Sequence, residues 1–166
     1  LLADPKLAQR VATIAGRLVT VAIAKYPHTA KWEWSVALID DPETVNAWCM
    51  AGGRMAVYSG LFAKLKLTDS EFAQIMGHEI SHALANHTAE RMSRAMATSL
   101  GVLAIGVASD RPAATMAGGA VAAKLALELP NSRTAETEAD RIGMELAVLA
   151  AAVAAVTAAH ASPVAN

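Results

Sequence analysis

One cysteine, Cys49, stands in 166 residues. That excludes an intramolecular disulfide and any metal cluster built on thiolates. Aromatic residues make up only 4% of the chain, and 14 basic residues against 15 acidic ones leave a formal net charge of -1. So even a balance gives no electrostatic footprint for nucleic acid, and no such partner is expected. No uninterrupted run of about 18 apolar residues occurs, so no transmembrane span is expected. The nearest candidates, 95–109 and 113–123, are short and rich in Ala, Gly and Ser, and read as buried helices. The opening Leu1-Leu2-Ala3-Asp4-Pro5 lacks the basic-then-apolar pattern of a signal segment, which is either absent or already removed.

What the chain does have is apolar bulk. Hydrophobic residues are 54% of the total, enough for a substantial core and too many for a disordered chain. Much of that share is alanine, which favours packed helices. The length predicts a single domain over 1–166. Residues 4–25 read as an amphipathic helix, with Asp4 as N-cap and Pro5 at the first helical position. Leu7, Val11, Ile14, Leu18 and Val21 recur on its buried face. Trp34–Ile39, Ala47–Met50 and Arg54–Tyr58 read as short strands, and 59–66 as a short helix. Thr68 and Glu71 form a capping box that opens a helix reaching Asn86 or beyond. Helical sequence follows, with breaks expected near Arg111-Pro112 and Leu129-Pro130 and a last helix from Thr134 to about Ala159. The fold class is α+β: mostly helical with a small β-sheet.

The informative segment is His78-Glu79-Ile80-Ser81-His82. On a helix, residues four apart share a face, so both imidazoles can reach one ion at about 2.0–2.1 Å. Glu79, offset around the helix, can take a proton from a zinc-activated water without binding the metal. Two histidines and a glutamate on a helix flanked by Ile75, Met76, Ala83 and Leu84 are costly unless something satisfies them. A third protein ligand is needed. A histidine six residues after His82 would supply it in one known pattern, but that place is Thr88; His87 is one position early and reads as a packing histidine. A carboxylate from a second helix is the alternative. Glu136 and Asp140 are four apart: Glu136 can be the ligand and Asp140 can steady a ligating ring. Glu138 should face solvent. From spacing alone, a charged helix start explains these acids equally well.

Taken together, residues 78–84 and 132–143 resemble the gluzincin metallopeptidase family of HtpX, BepA and the CAAX prenyl endopeptidases, as does the upstream run Asn46–Leu61. The soluble, BepA-like branch is the nearer likeness. The resemblance implies a zincin-like domain with one zinc per chain on His78, His82 and Glu136. It makes Glu79 the general base and Asp140 a support for a ligand. It implies that Gly53, Arg54, Met55, Ala56 and Val57 line the cleft, where an extended substrate adds as a strand. The expected activity is endoproteolysis of extended or misfolded polypeptides in protein quality control. The alternative is a zinc-stabilised, chaperone-like module that holds envelope proteins without cutting them. The expected location is periplasmic or outer-membrane-associated, through a removed or lipidated N-terminus. Two departures stand out. Ala51 replaces the usual Pro. The later oxyanion histidine has only His160 as a candidate, in an alanine-rich tail, which is consistent with a chain shortened at its C-terminus.

Overall fold

The computed structural model describes residues 4–87, 93 and 112–161, apart from the side chains of 112–132 and 159–161. It packs as two compact units, one formed by Leu1–Ala85 with Ala139–Asn166 and the other by Asn86–Glu138.

Helix α1, Pro5–Lys25, starts as its sequence dictates. The Asp4 carboxylate accepts a hydrogen bond from the Lys6 amide at 2.8 Å, and Pro5 occupies the first turn. The helix stops at Tyr26 because Pro27 disfavours helical geometry in the residue before it. A single 3-10 turn, Pro27–Lys31, leads to strand β1, Ser35–Ile39. Strands β2, Ala47–Cys49, and β3, Arg54–Tyr58, form a hairpin. Its turn needs positive φ at both Gly52 and Gly53. At Gly53 a side chain is also excluded by space, since a Cβ there would stand 2.8 Å from the Trp34 indole. Helix α2, Gly60–Leu65, ends in a left-handed Lys66. Helix α3, Asp69–Leu84, opens on the expected capping box: Thr68 Oγ1 accepts from the Glu71 amide, and Glu71 Oε2 accepts from the Thr68 amide at 2.8 Å. It ends just before Asn86, which is again left-handed.

Strand order is β1-β3-β2, with β1 parallel and β2 antiparallel to β3. This corrects the expectation that Gly53, Arg54, Met55, Ala56 and Val57 offer an edge to substrate. Strand β3 has a neighbour on each side, so its ladder is filled. Alternation along a strand reveals which face a residue takes but not which strands flank it. Met55, Ala56 and Val57 are all buried, as befits a central strand. The outer edge of β2 is unpaired among the described residues, and β2 is the strand that packs on α3.

Helix α4 runs from Pro112 to Ala161 without interruption. The break expected at Pro130 is absent. Proline removes one backbone hydrogen bond and costs about 3 kcal/mol in a helix interior, a penalty that the alanine- and leucine-rich flanks offset here. The core of the first unit joins Val11, Leu18 and Val21 of α1, Val57 of β3, Phe72, Met76 and Ile80 of α3, and Ile142 and Leu146 of α4. Each such fully buried side chain contributes about 1.5–3 kcal/mol. Two stretches, Pro5–Lys25 and Arg133–Ala158, are long and apolar enough to cross a membrane by length and composition. Core helices pass the same measure, so it neither establishes a span nor removes the expectation of none. Neither is an uninterrupted apolar run, because each carries scattered charges.

Candidate metal centre

Helix α3 carries His78 and His82 one turn apart, and the core burial of Phe72, Met76 and Ile80 fixes the rotation of the helix. His82 is buried and His78 half-buried. Their Nε2 atoms face each other at 3.1 Å. Two imidazole nitrogens on one tetrahedral zinc, each about 2.0–2.1 Å from it, stand roughly 3.3 Å apart. The donor pair therefore already has the spacing that zinc requires.

Asp140 projects from α4. The His78 Nδ1–H donates to its Oδ1 at 2.9 Å, because an ionised carboxylate only accepts. That bond settles the tautomer and leaves Nε2 of His78 with the lone pair that a metal needs. Glu136 lies one turn earlier on the same helix. One ligand atom from each of His78, His82 and Glu136 lies within 4.8 Å of the others. Two neutral nitrogens and one carboxylate oxygen form a donor set that suits zinc. Glu79 follows His78 on α3 and is half-buried. Its charge is felt at Cys49 on β2: burial first, and the Glu79 carboxylate second, push that thiol up to about 12.

Two polar features differ from their sequence reading or extend it. His87 is buried, and its Nε2 lies 3.3 Å from Oε2 of Glu138. The histidine packs as expected, but Glu138 has a partner although its side chain is 47% exposed. The proximity of Cys49 to Glu79 was not legible from residues thirty apart in sequence; the apolar run around Cys49 signals burial alone. The side chain of His160 lies outside the described residues.

The family model of peptidase family M48 matches residues 5–161. Mitochondrial metalloendopeptidase OMA1 of Arabidopsis thaliana is 36% identical over 127 residues, covering 75% of this chain and 24% of that protein. Mitochondrial metalloendopeptidase OMA1 of Bos taurus is 33% identical over 132 residues, 75% of this chain and 25% of its own length. The beta-barrel assembly-enhancing protease of Yersinia pestis is 32% identical over 153 residues, 88% of this chain and 30% of that protein. The chain thus spans 24–30% of the length of these curated relatives.

Proposed function

The chain belongs to peptidase family M48, and from that premise we propose that it is a zinc-dependent endopeptidase acting on extended or misfolded polypeptide segments. The observation that carries the reading is the convergence of ligand atoms from His78, His82 and Glu136 within 4.8 Å. In this reading those three side chains hold the ion. When bound, zinc supplies a positive charge that polarises the scissile carbonyl and acidifies a water.

The remaining steps belong to the protein. Glu79 accepts a proton on its carboxylate and passes it to the departing amine. Asp140 holds the His78 ring through its Nδ1–H, so that Nε2 keeps its direction. The buried face of α3 keeps His82 from swinging into solvent. The substrate backbone lies along the outer edge of β2, the strand packed on α3, rather than along β3. The relatives' names point to mitochondria for one group and to beta-barrel assembly for another. We place this chain with the second group, in the periplasm or at the outer membrane, on the strength of the longer match.

The test is Glu79→Gln. The variant should bind one zinc per chain, as wild type does, and should not digest casein, whereas wild type digests it until a chelator is added. Full cleavage by the variant would refute the role of Glu79. Zinc bound by wild type without cleavage, together with suppressed aggregation of unfolded clients, would replace the enzyme by a holding module.

A further inference from the structure

Glycine is the poorest helix former after proline, yet α3 has Gly77 beside His78 and α4 has Gly143 one turn beyond Asp140. These two glycines meet. A Cβ on Gly77 would stand 2.6 Å from the Gly143 carbonyl oxygen, and a Cβ on Gly143 would stand 2.6 Å from the His78 amide nitrogen and 2.8 Å from the His78 Cα. Both obstacles are backbone, so no side chain can swing aside to make room. The crossing touches His78 itself, and Asp140 and Gly143, three residues apart, share a helix face.

We propose that Gly77 and Gly143 are positioning residues of the metal centre: their contact sets the approach of α3 to α4 at which Asp140 can hold the His78 ring. The inference rests on the assignment of His78 to the metal. Moving an added Cβ from 2.6 Å to 3.4 Å, where ordinary contact begins, parts the helices locally by about 0.8 Å. The His78–Asp140 bond, now 2.9 Å, then lengthens by up to that amount, to at most about 3.7 Å, beyond hydrogen-bond range. Alanine would favour both helices but would release the ring.

The experiment compares zinc affinity, by competition with a chromophoric chelator, for the full chain and its Gly143→Ala, Gly77→Ala and Leu18→Ala variants, alongside the melting temperature of each metal-free protein. Leu18→Ala opens a cavity in the α1 core and serves as the purely structural control. Gly143→Ala should weaken zinc binding about five- to tenfold, and Gly77→Ala, the milder intrusion, about threefold. Leu18→Ala should stay within twofold while melting lowest. In an Asp140→Ala background, Gly143→Ala should add less than twofold, because the contact acts through that carboxylate. Glycine variants that bind zinc within twofold of wild type, or that lose affinity only in step with melting temperature, would overturn the proposal. If Gly143→Ala does not fold, Gly77→Ala decides. If wild type binds no zinc, the functional reading fails separately. Nitrogen-15 shifts of the His78 ring in the metal-free chain then decide the positioning role: wild type should show a protonated Nδ1, and Gly77→Ala a mixture of tautomers. Identical spectra would overturn it.

Discussion

Asp140→Ala should weaken zinc binding about tenfold while leaving the metal-free fold almost untouched. Partners that hold a ligating histidine typically contribute 10–100-fold in metal affinity. The Asp140 side chain is 71% exposed and that of His78 27%, so water competes for the bond and the lower end of that range applies. Tenfold corresponds to about 1.4 kcal/mol. Asp140→Asn keeps an acceptor oxygen in place but loses the charge. Charge-assisted bonds are roughly twice as strong as neutral ones, so asparagine should lose about half the free energy, or about threefold. Stability of the metal-free variants should stay within about 0.5 kcal/mol of wild type, as for most exposed positions. The assay is chelator competition for zinc with parallel urea melts. Alanine within twofold of wild type would refute the reasoning, and so would asparagine binding more weakly than alanine, since the loss would then not track the acceptor.

Three further outcomes follow from named groups. Glu136→Ala should retain less than half a zinc per chain after dialysis; an unchanged stoichiometry would move the third ligand elsewhere. Native Cys49 should resist iodoacetamide at pH 8.5 and react readily in denaturant, because burial and Glu79 hold its thiol near 12 against an ordinary 9.0. Its contribution to stability is complete below pH 9 and falls as pH rises toward 12; equal alkylation rates in both states would contradict this. Hydrogen bonds from the Thr68 backbone and hydroxyl hold the Glu71 carboxyl below its ordinary 4.5. The stability it contributes is present above pH 4.5 and disappears as pH falls through the lowered value. Glu71→Gln should therefore flatten the acid limb of the stability curve, and an unchanged limb would refute the assignment.

Local chemistry made the helix starts readable. Asp4-Pro5 and the Thr68–Glu71 box announce α1 and α3 because capping involves residues within four positions of one another. The pair His78 and His82 was legible for the same reason, since one helical turn fixes their relation. Glu136 and Asp140 were legible as a pair but not as partners of α3 until the family likeness joined the segments. Strand order was not legible: β2 and β3 look alike in sequence, and only their neighbours in space make one of them central. Pro130 misled because its cost is local while the helix that absorbs it runs for 50 residues. Gly77 and Gly143 carried a signal, glycine inside a helix, whose meaning depends on what lies opposite.

The order β1-β3-β2 also shapes how the sheet can assemble. Paired residues of β2 and β3 are at most ten apart in sequence, so that hairpin closes over a short loop; β1 and β3 pair across nineteen residues. Loop closure costs more entropy over the longer distance. The first strand made is thus the last to find its neighbour, and it waits for the third. A nascent chain that has emerged only as far as Cys49 holds two strands with no ladder between them, and the sheet gains its cohesion only when Arg54–Tyr58 arrives.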